Sequence, residues 1–310
     1  MSISVTGKGG IKATIIQDSI SPQGKRIITY ELEYPRFIHA ELMTHRQFSR
    51  NAASSRAIPV DRMHKHIEDN PALPVYWGKN QAGMQAKEEL EDNELLAATN
   101  LWHRAKERAL AYAKELLDIG MHKQIANRVT EPFQMMKTIV TSTEWSNWDW
   151  LRFHADAQPE IHELAKVMID VRHLSYPMKL VPGEWHLPYI SRNYRLFNNM
   201  EYWDQFGEKL SLEDAQKVSA SCCAQVSYRR LDHSLDKAED IFNRLIHSEP
   251  MHASPIEHQA TPMQLDTVIF NLDPNRWEPG VTHMNRAGFL GSGNLYGWIQ
   301  YRQLIPNQSR

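Results

Sequence analysis

Thr44-His45-Arg46-Gln47-Phe48-Ser49-Arg50-Asn51-Ala52-Ala53-Ser54-Ser55-Arg56 brings one imidazole, three guanidiniums, four hydroxyls and two carboxamides into thirteen consecutive residues. Arg offers a planar fork of donors, Ser a short hydroxyl contact and His a donor on either ring nitrogen, a set suited to phosphate or pyrophosphate. The stretch therefore points to a nucleotide-shaped ligand. Upstream, Arg26 to Tyr34 alternates apolar and polar residues after β-branched Ile27, Ile28 and Thr29, the pattern of a half-exposed strand, and Pro35 ends it. Phe37, Ile38, Glu41, Leu42, His45 and Ser49 then recur at three- and four-residue spacing, which predicts a short helix with the polar cluster on its last turns and the loop beyond.

The 310 residues, 42% of them hydrophobic, can build a sizeable core in one large domain or two. A formal net charge of −2 argues against general nucleic-acid or membrane-surface binding, so any basic site is local. The two cysteines, Cys222 and Cys223, are adjacent and poorly placed to bridge, and the N-terminus does not resemble a signal peptide, so a reducing cytoplasm is expected. No stretch approaches the roughly 18 apolar residues a membrane helix needs.

Gly78 to Asn93 reads as a solvated connection, and Leu95, Leu101, Trp102, Ala105, Ala109, Tyr112, Ala113, Leu116 and Leu117 as the core-facing stripe of a long helix stopped by Gly120. Asp156–Asp170 predicts another helix, with Pro159 near its start. Pro177, Pro182 and Pro188 favour an extended connector, and Leu235 to Ile246 a second amphipathic helix broken by Pro250.

The cluster His45-Arg46, Ser49, Asn51, Ser54 and Arg56 resembles the signature of flavin-dependent thymidylate synthases (ThyX), Arg-His-Arg followed by seven residues and Ser. Glu144-Trp-Ser-Asn147, Leu151-Arg152 and Ala157-Gln-Pro-Glu-Ile161 resemble that family's second motif region. Its remaining segment, normally ahead of the signature, here resembles Ser219 to Tyr228 and His252-Ala-Ser-Pro-Ile-Glu-His258. The resemblance therefore implies an α+β fold, a mixed sheet flanked by helices, in circularly permuted form. Residues 1–176 would be a ThyX-like segment carrying the nucleotide signature and long helices. Residues 177–215 would be a connector, 216–262 the permuted flavin-binding segment of the same domain, and 263–310 a C-terminal extension.

The same resemblance implies reductive methylation of deoxyuridine monophosphate (dUMP) to dTMP, with carbon from methylenetetrahydrofolate, hydride from reduced FAD and NADPH to regenerate the flavin. Arg152 matches the arginine that favours ionisation of the uracil ring and takes the catalytic role. His45, Arg46, Asn147, Ser254 and Glu257 match flavin-binding positions, with Ser227 and His252 as further candidates. Ser54, Ser55 and Arg56 match the phosphate-binding residues, and Arg128 and Glu41 join them as substrate ligands. A homotetramer, with sites drawn from several chains, is also implied, without nucleic-acid or membrane partners.

Thr44, Glu41, Ala52 and Ala57 depart from the family pattern. Glu41 stands where the family tends to have glutamine and can accept from an exocyclic amine, so a cytosine nucleotide is an alternative substrate, and a hydroxymethyl group an alternative product. A non-catalytic nucleotide- or flavin-binding subunit is the alternative from another class. A zinc site is not expected, because Pro255 breaks any helix between His252 and His258. Trp145, Trp148 and Trp150 read equally as core or as a stacking wall, and Gly297-Trp-Ile-Gln-Tyr-Arg302 has no assigned role.

Overall fold

In the computed structural model the described residues are 2–194, 200–227, 231–265 and 273–308. Strands β1 (Ile3–Thr6), β2 (Lys12–Ile20) and β3 (Arg26–Pro35) form an antiparallel meander. The chain then makes a 3-10 turn at Arg36–Ile38 and one helical turn, α1 (His39–Leu42), before β4 (Ser49–Ala52). Helices α2 (Val60–Asp69), α3 (Asp92–Asp118) and α4 (Lys123–Ala126) precede β5 (Met135–Ser142), which inserts between β3 and β4. With β6 (Met178–Lys179) parallel to the end of β2, the sheet is mixed, in the order β1-β2-β3-β5-β4.

Helices α5 (Ser146–Arg152) and α6 (Pro159–Leu174) follow β5. Pro159 opens α6, where its missing N–H costs nothing. Ile161, Leu164, Ala165, Val167, Met168 and Val171 press onto Ile28, Tyr30 and Leu32 of the sheet and onto Ile11 just ahead of β2, and each of the larger side chains contributes about 1.5–3 kcal/mol by leaving water. The opposite face is covered by later chain. Ile139 of β5 meets Cys223 and Val226, and Ile27 of β3 meets Leu180, Ala260, Leu295 and Trp298. This second cover is why β3 is buried on both faces, where alternation predicts a half-exposed strand.

The later chain forms β7 (Ser191–Tyr194), β8 (Met200–Trp203) and β9 (Lys209–Leu210), then α7 (Leu212–Ala224) packed on α8 (Leu235–His247). Ser211 caps α7 by accepting from the Asp214 amide. Strand β10 (Ala260–Pro262) is followed by β11 (His283–Met284), β12 (Leu290–Ser292), β13 (Leu295–Tyr296) and β14 (Trp298–Gln300), and β14 returns to pair with β10. The proline-rich run is more than a spacer: Trp185, Leu187 and Ile190 are buried against α7.

Two further sequence expectations need correction. The polar cluster sits on a turn and on β4, since the helix closes at Leu42 and Ser49 already pairs with Thr141 of β5. The α3 stripe is only partly core: Ala109 and Ala113 are buried and Trp102 and Leu110 half-buried against α2 and Phe133, while Leu101, Tyr112 and Leu117 face out. The helix docks along one narrow line of small residues, and its apolar face is wider than its cover.

Candidate functional site

The α1 turn and the end of α5 meet at Arg152. Its Nε donates to His45 Nε2 at 2.9 Å, its Nη1 to Glu41 Oε2 at 2.9 Å, and its Nη2 lies 3.4 Å from Thr44 Oγ1. Because His45 Nε2 accepts, the ring carries its proton on Nδ1. The ring stacks on Phe48 at 5.7 Å and meets Trp148 edge-on at 4.7 Å. Burial, together with the Arg152 and Arg50 guanidiniums, lowers its pKa to about 4, so the imidazole is neutral.

Glu41 and Arg152 are among the residues that line a cleft of about 1260 Å³. Phe37, Tyr76, Trp102 and Trp150 line it, and Lys8 reaches it. Glu160 and Glu163 in its lining are committed, accepting from the Val75 and Lys8 amides at 2.9 Å each. The tryptophans divide by position: Trp145 and Trp148 are core, while Trp150 is exposed on the cleft wall.

A second polar seam runs along β4, where the 3-10 turn Ser254–Glu257 packs. Asn51 Nδ2 donates to the Cys223 carbonyl, and Ser254 Oγ to Asn51 Oδ1 at 3.3 Å. Glu257 forms an ion pair with Arg302, and burial raises its pKa, opposed by Arg302 and Arg50. Gln300 Nε2 donates to Ser49 Oγ, to the Glu257 carbonyl and to Asn294 Oδ1. The run Gly297–Arg302 thus closes this seam. Arg302, Gln300 and Asn294 carry no sequence signal of a place in this seam, because only the fold brings them to β4 and Glu257.

A buried chain of hydrogen bonds leads into the same turn. Arg192 gives two N–H groups to Ser19 Oγ at 3.2 Å, so the Ser19 hydroxyl proton points to His186 Nδ1 at 2.8 Å. The order then propagates from His186 Nε2 to Thr29 Oγ1 at 2.9 Å, to Thr141 Oγ1 at 2.6 Å, and to His258 Nδ1 at 2.8 Å. His258 is left with its proton on Nε2, which is buried without a partner among the described residues. Burial lowers the pKa of His186 well below its ordinary value and that of His258 to about 3.

The phosphate candidates group with one another, outside the residues that line the cleft. Asn127 Nδ2 donates to the Ser55 and Ile58 carbonyls at 2.9 Å, tying the Ser54–Arg56 turn to the turn that carries Arg128, and Arg128 pairs with Glu131 at 2.9 Å. Ser55 is buried and Arg56 exposed. Arg46, Asn147 and His252 are exposed, while the Ser227 side chain lies outside the described residues. Cys222 and Cys223 are free and buried, and burial drives the Cys222 thiol up to about 12 and raises that of Cys223 well above its ordinary value, so both stay protonated. Among the described residues no helix is long and apolar enough to cross a membrane.

A family model described as thymidylate synthase complementing protein matches residues 9–178. The match spans over half of the chain, which therefore belongs to this family, the flavin-dependent thymidylate synthases. Among solved structures, a UMP/dUMP methylase, PolB, from Streptomyces cacaoi, bound with 5-Br UMP, is similar with a TM-score of 0.43 and 17% identity, over 53% of this chain and 89% of that one. No curated protein matches the chain.

Proposed function

We propose that the chain catalyses the reductive methylation of dUMP to dTMP with methylenetetrahydrofolate, FAD and NADPH, within the family to which it belongs. One observation carries this reading: Arg152 is held by His45 and Glu41 in the lining of a cleft that also presents Phe37, Tyr76, Trp102 and Trp150, where a guanidinium can stabilise negative charge developing on a stacked pyrimidine. Bound flavin would supply the hydride. Arg46, Asn147, His252 and the Ser254–Glu257 turn would hold it, since guanidinium, amide, imidazole and hydroxyl donors suit ring carbonyls and a pyrophosphate, and the unpartnered His258 Nε2–H adds a buried donor in that turn.

The packing of Ser254–Glu257 on β4 supports the permuted arrangement, in which 216–262 completes the domain begun by 1–176, 177–215 connects them and 263–310 is an extension. A homotetramer is supported by two observations. The Ser54–Arg56 and Arg128 group lies outside the cleft lining, as it would if it served another copy's nucleotide, and α3 exposes Leu96, Leu101, Tyr112 and Leu117. Two free, buried thiols suit a reducing cytoplasm. Incubating the protein with FAD, NADPH, methylenetetrahydrofolate and dUMP should yield a product of dTMP mass. Arg152→Ala should abolish turnover and spare flavin absorbance; turnover at the wild-type rate in this variant would refute the assignment.

A further inference from the structure

The Glu41–Arg152 pair is also a hydrogen-bonding edge. Arg152 commits Nε to His45, one Nη1 hydrogen to Glu41 Oε2 and, at 3.4 Å, one Nη2 hydrogen to Thr44. A guanidinium carries five N–H groups, so one remains on each Nη. Glu41 Oε1 receives no hydrogen bond from the described residues. Because Glu41 bonds Nη1, the uncommitted groups run in the order Oε1, Nη1–H, Nη2–H, one acceptor and then two donors, on two residues that line a cleft shared with the rings of Phe37, Tyr76, Trp102 and Trp150.

The hydrogen-bonding edge of cytosine carries a donor, the exocyclic amine, followed by two acceptors, N3 and O2. It complements the pair at all three positions, with the carboxylate taking the amine. The edge of uracil reads acceptor, donor, acceptor. Set in the same register, it would put O4 against the carboxylate and N3–H against an N–H. Shifted by one position it gives N3–H to Glu41 and O2 to Arg152, and it leaves O4 without a donor. We propose that this cleft binds the cytosine ring of a nucleoside monophosphate in addition to uracil, and more tightly, and that Glu41 sets the preference. The inference rests on reading the cleft as a pyrimidine nucleotide site and adds to that reading only the choice of base. A glutamine at this position, its carbonyl taking the Arg152 N–H, would turn an amide N–H to the ring, removing the acceptor that the cytosine amine requires and offering a donor to O4 of uracil.

Calorimetric titration of the purified full chain with dCMP and with dUMP tests this, using the wild type, Glu41→Gln and Glu41→Asp, each checked for folding by its thermal transition. Mispairing of a charged group should separate the two ligands by on the order of 10- to 100-fold. Wild type and Glu41→Asp should favour dCMP, and Glu41→Gln should lose that preference. Equal or tighter dUMP binding by the wild type, or a ratio unmoved by Glu41→Gln, overturns the preference alone. Folded protein that binds neither nucleotide overturns the preference together with the reading of the cleft. Loss of methylenetetrahydrofolate binding in Glu41→Gln with the nucleotide ratio unchanged would assign the carboxylate to the pterin and overturn the proposal.

Discussion

Acid should weaken this fold through His258 before any surface group matters. The ring is fully buried, and its folded pKa of about 3 lies far below the ordinary 6.5. Above 6.5 both folded and unfolded chains hold a neutral imidazole. Below it the unfolded chain takes up a proton that the folded chain refuses, so stability present above 6.5 is lost as pH falls toward 3. At about pH 5 the gap is roughly 1.5 units, and at 1.36 kcal/mol per unit His258 alone accounts for about 2 kcal/mol. His186 shifts the same way and adds to the loss. His258→Asn keeps an acceptor for the Thr141 hydroxyl and removes the titration. Urea unfolding at about pH 7.5 and pH 5 should show the variant losing about 2 kcal/mol less than the wild type over that interval. An identical loss in both proteins would refute the reasoning.

Other perturbations follow from the two seams. Arg302→Ala removes the ion-pair partner of the partly buried Glu257 carboxylate, leaving it Ser49 and the more distant Arg50, and should cost about 2 kcal/mol in urea unfolding; Glu257→Gln in the same chain should recover part of it. Asn127→Ala strips two carbonyls of their donor and should cost about 2 kcal/mol, while raising the Km for nucleotide through the loosened Ser54–Arg56 turn. Leu101→Glu with Leu117→Glu on α3 should shift sedimentation toward smaller species; an unchanged profile would show that this face plays no part in assembly.

Part of the candidate site could be read before folding because each half of it is a local motif, although the two halves meet across more than 100 positions of chain. Glu41, Thr44 and His45 share one turn of chain, and Arg152 ends a helix placed directly after β5, so a motif read along the sequence finds both halves of the pair. The strand at 26–35 and the helices at 92–118, 159–174 and 235–247 announce themselves by period. Non-local partnership was not legible. Gln300 and Arg302 sit on β4 and Glu257 only because β14 pairs with β10, and His186 reaches Thr29 across 157 positions of chain. Periodicity likewise marks the apolar stripe of α3 without saying that its neighbours cover only a narrow line of it.

Trp298 donates to the carbonyl of Lys25, and Asn294 to that of Gln47, spans of 273 and 247 positions. During synthesis the first strands must wait, with one side uncovered, until residues near 300 have left the ribosome. Contacts of such sequence separation make folding slow and leave the nascent sheet open to misassembly. Low temperature or a chaperone that shields apolar strands should therefore raise the soluble yield more than it changes the stability of the finished molecule.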